Sequence, residues 1–157
     1  MSNSIVPLDD VDRRLLRLLQ VDCSRSNLEL AAAAHVSPAT GLRRVKRLVD
    51  EGVIERRVAV LDPERIGAGL TVLAEVTLDR QGDEHLVAFE ARAVAEAGVQ
   101  QCYRVSPGPD FVLVLWVPDM AGYQALVQRL FTEDANVRNV KAYFSIKRGK
   151  FEPAIAV

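Results

Sequence analysis

Apolar residues recur at helical spacing in three short stretches near the start of the chain. Val11, Leu15, Leu18 and Leu19 form the first stripe. Asp9 ahead of it suits an N-cap, and Asp12 suits the positive end of a helix dipole. The pattern predicts a helix over about 10–21. Cys23-Ser24-Arg25 breaks the period, and Ser26 with Glu29 then forms the Ser-x-x-Glu capping box. Leu28, Leu30, Ala31 and Ala34 follow as a short second helix. Ser37-Pro38 opens a third, because Ser caps and Pro loses nothing at the first helical position. That helix runs to about Glu51, where Gly52 stops it. Leu42, Val45, Leu48 and Val49 are its expected inner stripe, with Thr40, Arg43, Arg44 and Arg47 pointing elsewhere. Residues 55–61 read as a strand.

Beyond residue 61 the period changes from 3.6 to 2. The segment 61–67 is a connector with room for a single helical turn. Val72, Ala74, Val76 and Leu78 alternate along a half-buried strand. Leu86, Phe89, Ala93, Val94 and Ala97 form a helical stripe. Residues 99–106 alternate again, and Ser106-Pro107-Gly108-Pro109-Asp110 is a strong turn signal. Phe111 to Val117 is almost wholly apolar, hence a central strand. Tyr123, Leu126, Val127 and Leu130 mark a second helix, and Val140, Ala142, Phe144 and Ile146 lie on one face of a last strand. The order is βαββαβ, the ferredoxin-like plan. The predicted class is α+β, with a helix-turn-helix (winged) domain over 1–62 and a ferredoxin-like domain over 63–157. Helices cover one face of such a sheet. The other face, with Leu73, Val112 or Leu113, and Tyr143, calls for a cover, and a second copy of the chain in a symmetric dimer supplies it economically.

Two short capped helices joined by a tight turn form the helix-turn-helix arrangement, whose second member enters the DNA major groove. Ser37, Ala39 and Thr40 are small enough for close approach, and Ser37 or Thr40 can contact phosphate or a base edge. Arg43, Arg44 and Arg47 can reach phosphates or a guanine edge. A solvated helix face is the alternative for an isolated basic tetrad, and the capped helix pair beside it favours the DNA reading. Arg56 and Arg57 either touch the backbone beside the groove or are surface charges.

Composition at first argues the other way. The chain has 157 residues, 20 of them basic and 21 acidic, for a net charge of −1, whereas phosphate binders usually leave a basic footprint. The charge is unevenly spread, however. Residues 1–60 carry 10 basic and 8 acidic side chains, residues 61–157 carry 10 and 13, and the stretch 37–57 carries six and three. The sum hides a local cluster. No apolar run reaches the ~20 residues of a membrane span, and no signal peptide is evident, so a cytoplasmic setting is expected. The cysteines, Cys23 and Cys102, and the histidines, His35 and His85, are isolated, so neither a disulfide nor a metal site is expected, and no cofactor. A small enzyme would have to draw on His85, Cys102, Tyr103 and Asp110. These show no nucleophile–base spacing, and an enzyme would leave the first sixty residues without a role. An architectural DNA organiser would use the same residues as a sequence-specific one.

The segments LDDVDRRLLRLLQ, SNLELAAAAHVSPATGLRRVKRLVDEGVI, LDPERIG and CYRVSPGPDFVLVLWVPDM together resemble the leucine-responsive regulatory protein/AsnC (feast–famine) family of prokaryotic transcription regulators. The resemblance covers about 8–154. It implies a regulator that binds double-stranded DNA, a sensing and assembly domain, dimers stacked into tetramers or octamers, and an amino acid or related small molecule as effector. In that family the effector lies near a Gly-x-x-Asp turn between the second and third strands. Asp110 falls on the Asp, but Pro107 takes the Gly position, with Gly108 one residue later. Proline removes a backbone donor there. Ser106, Gly108 and Asp110 are the effector residues the resemblance implies, with Asp110 placed to meet an α-ammonium group. The stretch 106–110 reads equally as a plain tight turn.

Overall fold

The computed structural model describes residues 5–67 and 69–157. These form two compact units. One is the chain through residue 60 together with 150–157, and the other is 61–149. The first unit thus takes in the last eight residues of the chain.

The first unit holds α1 (Asp10–Val21), α2 (Asn27–Ala33) and α3 (Pro38–Asp50). Each starts at a side-chain cap. Asp9 Oδ1 accepts the N–H groups of Val11 and Asp12, both at 2.9 Å. Ser26 and Glu29 make the predicted capping box, and Ser37 Oγ accepts the Thr40 N–H at 3.2 Å. Helices this short are marginal alone, so caps and packing must hold them. The packing is a small cluster of Leu15, Leu30, Ala34 and Val45, joined by Val11, Leu18, Leu19, Val36 and Ile54. Gly41 lets α3 lie close on α2, since a Cβ there would meet the Ala31 Cβ at 3.0 Å. The turn between them is a Schellman closure. Val36 N–H reaches back to the Ala31 carbonyl (3.0 Å), and His35 takes the left-handed conformation at φ 57°.

Two expectations fail in this unit. Leu42 and Val49 are exposed, whereas Val45 and Leu48 keep their expected inner places and Gly41 joins them. Residues 55–61 form no strand. They run without a ladder partner among the described residues, so the wing is not seen. Strand-forming residues alone cannot make a strand, because its N–H and C=O groups need an edge to bond to.

A segment from the far end of the chain completes the unit. Gln20 on α1 grips the backbone of Ile155 at both its polar groups: Nε2 donates to the carbonyl (3.0 Å) and Oε1 accepts the N–H (2.7 Å). Arg17 Nε donates to the Val157 carbonyl at 2.7 Å.

The second unit opens with a single turn, α4 (Pro63–Ile66), and is built on β1 (Leu70–Leu78), α5 (Asp83–Ala95), β2 (Val99–Arg104), β3 (Phe111–Val117), α6 (Met120–Val127) and β4 (Val137–Phe144). The antiparallel sheet has the order β2-β3-β1-β4, the ferredoxin-like arrangement. A π-helical turn, 128–132, continues α6. Period-2 alternation sets the core. Val72, Ala74, Val76 and Leu78 of β1 and Phe111, Leu113, Leu115 and Val117 of β3 are buried under Leu86, Phe89, Leu126 and Leu130. The rings of Phe89 and Phe111 meet at 4.9 Å between centroids. Leu113 is therefore inside, which leaves Val112 on the outer face with Leu73 and Tyr143, both about half exposed. Ile146, placed by the sequence pattern on one face of the last strand with Val140 and Ala142, lies past the end of β4 and is fully exposed.

Candidate nucleic-acid interface and effector turn

Helix α3 divides its basic residues between two directions. Arg43 and Lys46, three positions apart, are exposed, and neither has an ion-pair partner among the described residues. Ala39 and Asp50 share that outward side. Ser37 and Thr40 stand at the entry to the helix, where the Ser37 hydroxyl donates to Thr40 Oγ1 at 2.9 Å. Arg56 is exposed in the irregular segment that follows. Lys46 was visible in the basic cluster. Its spacing from Arg43 was the signal that it belongs on the same outward face.

The guanidiniums of Arg44 and Arg47 are instead engaged by carboxylates of α1. Arg44 Nη1 donates to Asp9 Oδ2 (2.7 Å) and Asp12 Oδ1 (2.9 Å), and Arg47 Nη2 donates to Asp12 Oδ2 (2.6 Å). Asp12 is 1% exposed. The three arginines expected to act together on DNA are thus one outward arginine and two pinned ones. Magnitudes favour their staying pinned. Stripping a partner from a buried carboxylate costs about 3–5 kcal/mol, against about 1–3 for a good base contact. Hydrogen bonds hold the Asp9 carboxyl down at about 2, chiefly the one from the Asp12 N–H and then the one from Arg44. The same pairing raises Arg44 above its ordinary value.

The residues of the implied effector turn have mixed placements. Asp110 Oδ2 accepts the Leu78 N–H (2.7 Å) and Gln81 Nε2 (3.3 Å), fixing the turn to the end of β1. The Ser106–Pro107 peptide is cis, and Gly108 has φ 120°. Gly108 and Pro109 line an open concavity with Glu75, Thr77, Asn139 and Lys141, to which Ser106 and Asp110 do not contribute.

The residues that could have served an enzyme are not joined. Tyr103 donates to Gln101 (3.0 Å), His85 lies by Glu84 (3.5 Å), and burial pushes the Cys102 thiol up, away from a thiolate nucleophile. No helix is long and apolar enough to cross a membrane, and no cluster of metal-ligating side chains occurs, both among the described residues.

Comparison with known proteins covers both parts of the chain. Residues 8–49 match the model of the AsnC-type helix-turn-helix domain, and 71–155 match that of the Lrp/AsnC ligand binding domain. An uncharacterized HTH-type transcriptional regulator of Haemophilus influenzae is 36% identical over 94% of this chain and 88% of its own length. The crystal structure of an AsnC family transcriptional regulator from Agrobacterium tumefaciens superposes with a TM-score of 0.85 at 30% identity, covering 94% of this chain and 96% of that one. A transcriptional regulator from Neisseria meningitidis, solved as a complex with L-Met, superposes at 0.84 with 26% identity over 95% and 96% of the two chains. A helix-turn-helix joined to a ligand-binding βαββαβ unit is the mark of a DNA-binding transcription regulator rather than an enzyme, and the chain belongs to the Lrp/AsnC family of such regulators.

Proposed function

We propose that the protein regulates transcription as a two-fold assembly in which each copy places one α3 in one DNA half-site. The reading is carried by the capped α2–α3 pair that turns Arg43 and Lys46 outward beside the small residues Ala39 and Thr40. Ser37, Thr40, Arg43 and Lys46 make the groove contacts, and Arg56 meets the flanking backbone. Two-fold symmetry then calls for a pseudo-palindromic operator with half-sites about 34 Å apart or a multiple of that.

The outer sheet face supports the symmetric assembly. Glu75 and Lys141 stand opposite each other in the β1–β4 register, and neither has an ion-pair partner among the described residues. Across a two-fold axis a residue pair can meet its own mirror pair, so this charge pattern, with Leu73 and Tyr143 beside it, is self-complementary. Dimers stack further into tetramers or octamers. An amino acid acts as effector at the 106–110 turn. Asp110 Oδ1, which has no partner among the described residues, receives its ammonium group, and Ser106 and Gly108 of the same turn are the further contacts of this reading. The relative solved with L-Met supports that ligand class.

Selection of bound fragments from genomic DNA, repeated with a panel of amino acids, tests the proposal. The expected result is one enriched two-fold motif whose occupancy changes with at least one amino acid. Fragments without a common motif would remove the sequence-specific reading, and a motif indifferent to the whole panel would remove the effector.

A further inference from the structure

The carboxylates at the start of α1 do more than cap that helix. Asp12 is buried and spends both oxygens on α3, one on each of Arg44 and Arg47, while Oδ2 also accepts the Asp9 N–H at 3.2 Å. Asp9 adds a second oxygen to Arg44. Two guanidiniums one helical turn apart on α3 are therefore fastened to one end of α1. Two attachment points along a helix fix its rotation about its own axis as well as its distance. Rotation is the quantity on which base reading depends, because it decides which side chains of α3 point outward.

From this geometry we propose that Asp12, Arg44 and Arg47 form a clasp that sets the rotation of α3 for DNA reading, and that Arg44 and Arg47 are positioning residues with no DNA contact of their own. The proposal rests on α3 being the reading helix. Arg43 lies about 100° round the helix from Arg44 and about 40° from Arg47, and it is the one of the three without an acidic partner among the described residues, left to meet DNA. The clasp acts through Arg43, Lys46 and Thr40. Its loss blurs discrimination between sequences and leaves the number of phosphate contacts unchanged.

The test uses the full chain, a duplex recovered from genomic selection and a random duplex of equal length, over a series of salt concentrations. Four variants are compared: Arg43→Ala, Arg47→Gln, Asp12→Asn and the double Asp12→Asn/Arg47→Gln. Arg43→Ala weakens binding to the selected duplex about 5- to 150-fold. Arg47→Gln and Asp12→Asn each reduce the ratio of selected to random affinity by at least fivefold. Each leaves the slope of log affinity against log salt unchanged, and the double variant loses no more than the worse single one, as partners in one clasp should. A slope that falls by about 0.9 per subunit with Arg47→Gln would show a phosphate contact and overturn the proposal. Additive losses would overturn it as well. If Asp12→Asn does not fold, Arg47→Gln decides alone, because that side chain is 40% exposed and its replacement leaves the Arg44 pair in place. Unchanged binding by Arg43→Ala would instead remove α3 as the reading helix, a separate failure.

Discussion

The two units reach a defined geometry by different means. The ligand-binding unit relies on strand register and a large apolar core, in which alternate residues of β1 and β3 are fully buried against α5 and α6. The DNA-binding unit has only a small apolar cluster, and its helices are of 12, 7 and 13 residues. It compensates with polar devices at helix ends: three side-chain caps, a Schellman turn and the Asp12 clasp. Apolar packing is non-directional and tolerates some sliding. A charge-assisted hydrogen bond has a preferred direction, which suits a unit that must present one face of one helix.

The sharpest way to break this comparison is to cut each unit at its own anchor. Phe111→Ala should cost the ligand-binding unit about 3–5 kcal/mol and leave the other unit's melting transition in place. Calorimetry of the full chain should show one transition moving. Asp12→Ala should cost the DNA-binding unit about 3 kcal/mol, near the low end for a broken buried pair because Arg47 remains partly solvated. If denaturant unfolding instead finds less than 1 kcal/mol, the polar anchor is minor and the contrast collapses. His35→Gly should act in the opposite direction. Glycine adopts the left-handed region without the Cβ penalty, so the first unit should gain about 1 kcal/mol. A loss would mean that the imidazole contributes more than its strain costs. The smallest effect concerns acid. The Asp9 carboxyl is held at about 2, below its unfolded value of 3.8. Its contribution is therefore present above pH 3.8 and disappears as pH falls toward 2. Asp9→Asn should flatten the acid limb of the DNA-binding unit alone, followed by circular dichroism at helix wavelengths.

Much of the architecture was legible in the residues, because local signals and tertiary demand agree. Asp9, Ser26 and Ser37-Pro38 mark helix starts that the structure reproduces to the residue, and the alternation from Val72 to Leu78 maps directly onto the core. Legibility ends where a side chain has two plausible partners. Asp12 carries a helix-dipole signal, and nothing local tells that it reaches residues 44 and 47 instead of solvent. Arg43, Arg44 and Arg47 look alike in a row, and only the packing of α1 on α3 separates them. Leu42 and Val49 complete an apolar stripe with Val45 and Leu48, yet only the latter two are buried, together with Gly41, where α2 lies close. Residues 55–61 end in the strand-forming run Val58 to Leu61, but a ladder needs a second chain segment that the pattern cannot name.

The grip of Gln20 on Ile155 bears on how this protein can be dissected. In chain order the ligand-binding unit is an insert, entered at residue 61 and left at 149, with pieces of the other unit on both sides. A fragment ending at residue 60 would leave Gln20 and Arg17 without these hydrogen-bond partners, and a fragment running from 61 to 157 would carry an orphan strap. A clean separation would excise 61–149 and bridge the cut with a flexible linker, so that 150–157 can return to α1.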